Sequence, residues 1–351
     1  QEDALNKWRK ENGHAGQEDK DSLLKRAKDK VVTAFKWLME KVQNLFKRVR
    51  DFMSNAFTKM GNSSKKVAEW FKGATGFKRD VFINVSDVYL IVKDEKNLYD
   101  PKEIDNAVKY LYTELPKACA EFVEDVSESV DRNSMSYLEV KAGLTLKNMF
   151  KKDSMLKLAN VVVDSKYVDN KAIFSEQNGL DYMKLKGVNV AVTAGFYSAE
   201  EEVVGTIIFD KNELTRINPS IKEETFAITT KNFRKMQEMS EILEDNLENF
   251  QKEFDRQKDE MVNKSLNKLK DDLQESLNKG LLLDKIKEEV PGLVEQQLAQ
   301  LITKHLNGAF VLRAKSQQAA IQVLNCTNKL LWRVYKVEND EMSDSKDVAI
   351  V

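Results

Sequence analysis

A chain of 351 residues with 42% apolar and 32% charged side chains can bury a core, yet its charge density favours exposed helices over a compact enzyme. Only 4 prolines and 13 glycines are present, which disfavours a turn-dense β fold. The 2 cysteines, Cys119 and Cys326, form no disulfide framework and read as buried thiols of a protein assembled in a reducing compartment; no stretch reaches the ~18 consecutive apolar residues of a membrane-spanning helix.

Residues 1–21 are polar and read as a flexible arm or one ordered by a partner. Gln1 stands where a ribosomal product has Met, which fits a chain cut from a longer precursor, or a sequence that begins inside one. From a Ser22 N-cap, Leu24, Val31, Phe35, Leu38, Val42, Leu45, Val49 and Phe52 recur at three- and four-residue spacings. This predicts an amphipathic helix reaching about Met60, with those residues as its packing stripe. Gly61-Asn62-Ser63-Ser64 predicts its end, and a shorter helix over 65–72 follows. The 22–79 segment holds 15 Lys and Arg against 4 Asp and Glu, in a chain of net charge −1, so the remainder is acidic.

Segment 80–231 mixes strand and helix signals. Residues 81–92 read as a strand, or a hairpin-like pair kinked at Ser86-Asp87. Pro101 opens a helix with Ile104, Val108, Leu111 and Leu115 on its apolar side; Pro116 kinks or breaks it, and a second helix covers 118–130. Residues 137–149 and 156–168 are strand-like. The clearest antiparallel pair is 188–197 with 203–209, and 225–230 adds an edge strand. From Asn232, Phe233, Met236, Leu243, Leu247, Phe250, Phe254 and Met261 mark a long helix of coiled-coil type, continued by Leu266, Leu269, Leu273 and Leu277. Its polar side offers pairs such as Glu248 with Lys252. Pro291-Gly292 breaks it, and helices follow over 293–306 and 309–335, with 338–351 as a tail. The predicted fold class is helix-dominated α+β, a small antiparallel sheet in the middle flanked by long amphipathic helices at both ends. The predicted segments are 1–21, 22–79, 80–231, 232–337 and 338–351, with no internal repeat of fixed period apparent.

Catalytic constellations are scarce. His14 and His305 are the 2 histidines, and neither has a Cys or second His at metal-ligand spacing. A triad would need one of them; His305 with Cys326 is the one pairing left open, and helix-surface or core roles fit both better. Gly73-Ala74-Thr75-Gly76 lacks the Lys-Ser/Thr ending of a phosphate-binding loop. Glu200-Glu201-Glu202 reads as a solvated hairpin tip rather than a cation site. These readings predict no catalytic residue, metal or cofactor.

The sharp feature is the basic helix, whose polar face carries Lys25, Arg26, Lys28, Lys30, Lys36, Lys41, Lys47, Arg48 and Arg50. Three readings stand: non-specific contact with a nucleic-acid backbone, a helix lying on an anionic membrane with Phe35, Trp37, Phe46, Phe52 and Phe57 immersed, and plain packing with the cations set against acidic neighbours. Packing and phosphate contact are compatible, because they use opposite faces.

With its non-Met start, Lys/Glu-rich helices, small α+β middle and lack of catalytic groups, the chain resembles the internal head proteins of giant phiKZ-like bacteriophages. The resemblance implies a structural virion component, cut by a head-maturation protease after a Ser/Ala-X-Glu motif and retained inside the capsid with the packaged DNA, after assembly in the host cytoplasm. It implies capsid or other virion proteins as partners, with DNA backbone contact and oligomer formation through the long helices. Ser198-Ala199-Glu200 matches that motif internally, so folding would have to shield it. The alternatives are an amphipathic-helix scaffold on a membrane surface and an enzyme of unrecognised type in the 80–231 segment.

Overall fold

The computed structural model of the chain describes residues 15–94, 97–131, 154–177, 180–195, 204–217, 225–258, 264, 266–268, 271 and 306–340. Helix dominates and the sheets are small and antiparallel, so the fold is helix-dominated α+β.

The first helix, α1 (Ala15–Gly73), is longer than predicted at both ends. It begins inside the supposed arm, at Ala15 rather than after a Ser22 N-cap. It also runs through Gly61-Asn62-Ser63-Ser64, which was expected to stop it. The Ser63 hydroxyl donates to the Met60 carbonyl at 2.9 Å and the Ser64 hydroxyl to the Gly61 carbonyl at 3.2 Å. The small polar residues therefore satisfy themselves within the helix. A tertiary contact adds to this, since Asn328 Oδ1 lies 2.9 Å from the Ser63 hydroxyl as an alternative acceptor for its one proton.

After α1 come β1 (Val81–Asn84), a helical turn α2 (Val85–Val88), β2 (Val92–Asp94) and β3 (Asn97–Leu98). The kink foreseen at Ser86-Asp87 is α2, capped by the Asn84 side chain accepting from the Ser86 N–H at 2.9 Å. It separates β1 from β2, so the two do not form a hairpin. Instead β1 pairs antiparallel with β8 (Thr225–Ile228), the strand foreseen at 225–230.

Helix α3 (Pro101–Lys109) has Pro101 in its first turn and a capping box between Asp100 and Glu103. It does not break at Pro116. The chain widens into a π-helical turn at Tyr110–Glu114 and continues as α4 (Leu115–Asp131). Pro116 has no N–H to offer the carbonyl four residues back, at Tyr112. That carbonyl accepts from Gln257 Nε2 at 3.0 Å instead.

The run at 156–168 is not a strand. It forms α5 (Ser154–Val162), followed by β4 (Val168–Gln177) and β5 (Leu180–Leu185), two strands that were not expected from the sequence pattern. A short apolar run fits either state, and here a helix wins. The predicted pair is present as β6 (Ala191–Gly195) and β7 (Val204–Ile208), in register from Ala191 opposite Ile208 to Gly195 opposite Val204. Strands β4 to β7 make one four-stranded meander. Helix α6 (Lys211–Ile217), a 3-10 turn at Thr230–Asn232, α7 (Phe233–Lys258) and α8 (Asn307–Glu338) complete the described elements. The strand-like run at 137–149, the connection at 198–202, the leucines at 269, 273 and 277 and the helix at 293–305 lie outside the described residues.

The chain groups into two compact units, each drawn from three stretches: Gln1–Gln43, Glu121–Leu156 and Met261–Asn307, and Asn44–Ala120, Lys157–Glu260 and Gly308–Val351. In the first, α1 buries Phe35, Leu38 and Val42, and Phe122, Val123 and Leu266 are also buried. In the second, α8 is the core. It buries Phe310, Leu312, Ile321, Leu324, Leu330, Leu331 and Val334 around most of its circumference, as expected of a helix enclosed by other elements. The chain at Glu338 is no loose tail. Its carboxylate is buried and accepts from the Lys78 N–H at 2.9 and 3.1 Å and the Arg79 N–H at 3.3 Å, pinning the end of α8 to the segment after α1.

Candidate nucleic-acid interface

At 3.6 residues per turn, the second-unit part of α1 divides cleanly into two arcs. Val49, Met53, Met60, Val67 and Phe71 are buried along one side. Phe46 meets the Phe254 ring edge-on at 6.1 Å and Phe57 meets Phe250 at 5.6 Å, so α7 covers this arc. Of the predicted packing stripe, Phe35, Leu38, Val42 and Val49 are buried and Leu45 is half-buried. Phe52 is 39% exposed and does not belong to it. One turn after Val49 the buried position falls on Met53, because a step of four keeps to the same face while a step of three drifts off it here. The side chains of Leu24 and Val31 lie outside the described residues.

Cations occupy the opposite arc. Lys47, Arg48, Arg50, Lys59, Lys65, Lys66 and Lys72 are all exposed, with the acidic Asp51 and Glu69 and the neutral Ser54, Asn55, Thr58 and Asn62 exposed among them. Arg50 lies 3.7 Å from Asp255 in a pair where both side chains are about half exposed, an interaction that contributes little. Among the described residues, Lys47, Arg48, Lys59, Lys65 and Lys72 form no ion pair. In the first unit Lys36 and Lys41 are exposed too, with the Lys41 ammonium 4.8 Å from the centre of the Trp37 ring. The side chains of Lys25, Arg26, Lys28 and Lys30 lie outside the described residues.

Lys59, Lys65, Lys66 and Lys72 are not among the predicted phosphate-binding residues: Lys59 lies within the predicted helix but is not assigned to its cationic face, and Lys65, Lys66 and Lys72 fall in what reads as a separate short helix over 65–72. A signal for them does exist. Lys47-Arg48-Val49 and Asp51-Phe52-Met53 return about five turns later as Lys65-Lys66-Val67 and Glu69-Trp70-Phe71. Five whole turns restore the same orientation, so Val49 and Val67 are both buried while Lys47 and Lys65 are both exposed. The two copies share residue class more than identity, which is why the repeat escapes a search for matching letters.

The face that a membrane reading would immerse is partly covered. Phe35 and Phe46 are buried and Phe57 packs on Phe250, leaving Trp37 and Phe52 as the exposed aromatic residues of that set. Among the described residues no helix is long and apolar enough to cross a membrane, and no group of three or more His, Cys, Asp or Glu could hold a metal ion.

The second concentration of polar chemistry is internal. Arg313, on α8, is 2% exposed; its guanidinium lies 4.3 Å from the Phe46 ring centre and donates to Gln257 Oε1 at 3.3 Å. Gln317 donates to the same oxygen at 3.3 Å, and Gln257 donates to Glu253 Oε1 at 2.5 Å. Hydrogen bonds to Arg256 and Gln257 and the Arg313 charge hold the Glu253 carboxyl below its ordinary value, against the opposing effect of burial. This network joins α1, α7 and α8. Burial pushes Cys119 and Cys326 up to about 12, so both remain thiols at neutral pH, without the thiolate a nucleophile requires. Comparison of the chain with protein-family models, curated proteins and solved structures finds no match.

Proposed function

We propose that this protein is a non-catalytic structural component that binds the phosphate backbone of nucleic acid through the cationic arc of α1, in the setting its family resemblance implies: inside a phage capsid, against packaged DNA and shell proteins. One observation carries the reading. In the second unit Lys47, Arg48, Lys59, Lys65 and Lys72 point to solvent on one side of α1 with no ion pair among the described residues, while the other side of the same helix is fixed by packing. A cationic row on a rigid helix offers phosphates a preformed surface and carries no base-reading element, so binding is expected to be insensitive to sequence and steeply sensitive to salt.

The test is titration of the full chain with labelled duplex DNA over a series of salt concentrations. Expected is a linear fall of log affinity with log salt. A triple variant, Lys47→Gln with Arg48→Gln and Lys59→Gln, flattens the slope by roughly 0.9 for each phosphate it no longer neutralises. Affinity that stays constant between low and physiological salt contradicts the mechanism. Flotation with anionic vesicles, if it captured the protein when duplex DNA did not, would favour the membrane scaffold instead.

A further inference from the structure

The cationic surface does not stop at α1. Besides the buried Arg313, helix α8 carries Lys315, Lys329, Arg333 and Lys336 and no acidic residue before Glu338, whose carboxylate is turned inward onto the Lys78 and Arg79 N–H groups. Asp340 is engaged by Arg79. The outward side of α8 near its end is therefore cationic, with Lys329 exposed and Lys336 half-exposed.

An aromatic group stands in the middle of these charges. Trp332 is half-buried and stacks on Tyr335, ring centres 5.0 Å apart and planes within 8°. Trp70 of α1 braces Tyr335 edge-on at 6.2 Å. The Lys66 and Lys336 ammonium groups lie 6.0 and 5.4 Å from the Trp332 ring centre. Lys66 belongs to the α1 arc, so this cluster continues that surface onto α8.

We infer that α1 and α8 together form a binding surface for single-stranded nucleic acid, in which Lys66, Lys329 and Lys336 hold phosphates and Trp332 stacks against a base. The inference rests on the phosphate-binding reading of α1 and adds a site and a strand preference to it. Two properties of the cluster support it. The Trp332 ring is held in place by Tyr335, itself braced by Trp70, so ordering it costs little on binding. The lysines beside it are long and form no ion pair among the described residues, so they can swing from the ring to phosphates as a base takes their place. Aromatic stacking beside a cationic track is the combination by which single strands are gripped without sequence choice, and a duplex, with its bases already stacked, cannot use it.

The test uses the full chain, a short labelled oligothymidylate and a duplex, read by anisotropy across salt. Expected is that Trp332→Leu weakens single-strand binding by roughly five- to hundredfold, leaving its salt slope and duplex binding in place. Trp332→Phe, which keeps a stacking ring, retains most of the affinity. The double variant Lys329→Gln with Lys336→Gln lowers the single-strand salt slope by about 0.7 for each phosphate released. Because those two lysines lie on the outer side of α8, this variant carries the test if Trp332→Leu proves misfolded by circular dichroism. Unchanged single-strand binding in the lysine variant, with the α1 triple variant impaired, overturns the α8 site and leaves the α1 reading standing. Failure of wild-type protein to bind either nucleic acid, with capture by anionic vesicles, overturns both.

Discussion

Gly187 shows how one residue can be dictated by its surroundings. It adopts a φ of +82°, in the region that favours glycine, in the turn between β5 and β6. A Cβ there would also collide with the Glu103 backbone at the start of α3. Beside it, the Asn189 side chain donates to the Tyr89 carbonyl at 2.6 Å and the Val92 carbonyl at 2.7 Å, and accepts from the Tyr99 hydroxyl at 2.9 Å. The meander is thus docked to the β2–β3 ribbon by a turn that permits close approach and an amide that satisfies two carbonyls. Gly187→Ala is expected to cost upwards of about 2 kcal/mol, from strain and collision together. Urea unfolding measures it, and a midpoint within error of wild type would show that the α3 start yields freely.

At the scale of elements, Gln257 has the most consequences for its size. It satisfies the Tyr112 carbonyl that Pro116 leaves without its helical donor, and it accepts from both Arg313 and Gln317. The π turn, α7 and α8 meet at this amide. Gln257→Leu keeps the volume and removes these bonds, stranding a buried carbonyl and withdrawing an acceptor from a buried guanidinium. The expected loss is about 2–4 kcal/mol. Arg313→Met, which removes the charge rather than its partner, should be much milder, because the desolvation cost of the cation disappears with it. Chemical denaturation of the two variants side by side decides the point: equal losses would mean that Gln257 acts by packing alone. Glu248 and Lys252, read from sequence as a helix-surface pair, do meet at 2.5 Å, but in full solvent. Such pairs mark the outside of α7 and add little to its stability.

For the whole molecule, buried acids that must stay neutral set an alkaline limit. Burial is the largest cause in each case: it pushes Cys119, Cys326 and Tyr112 up to about 12 and raises Tyr89, Tyr99 and Tyr110 as well. In the unfolded chain the thiols titrate near 9.0 and the phenols near 10.0. Above about pH 9 the unfolded state therefore sheds protons that the folded state keeps. Stability is fully present below that pH and falls as pH rises toward 12. Lys184 and Lys235, lowered mainly by burial, act in the opposite sense over part of this range, but two groups oppose six. The urea midpoint should hold up to about pH 9 and drop steadily beyond it. A midpoint that stayed level to pH 11 would mean these groups ionise without unfolding the protein.

Sequence alone was enough for the fold class, the long helices, the β6–β7 pair, the first-turn place of Pro101, the burial of both cysteines and the cationic side of α1. These follow from periodicity, composition and local propensity, which act over a few residues and need no partner. Tertiary structure decided the rest. Ser63 sits inside a helix with its hydroxyl between the Met60 carbonyl of its own helix and Asn328 Oδ1, far along the chain, either of which can take its one proton. Residues 156–162 form a helix although their apolar run would serve equally as a strand. Pro116 is accommodated by a π turn because Gln257 answers the carbonyl it orphans. Glu338 reads as the start of a polar tail, yet it is buried because two backbone N–H groups lie where it lands. The second half of the cationic arc and the Trp332 cluster belong with these, since both depend on α1 continuing past Gly61 to reach α8. Local sequence sets what a segment prefers; the donors, acceptors and surfaces that distant segments bring to it determine which preference survives.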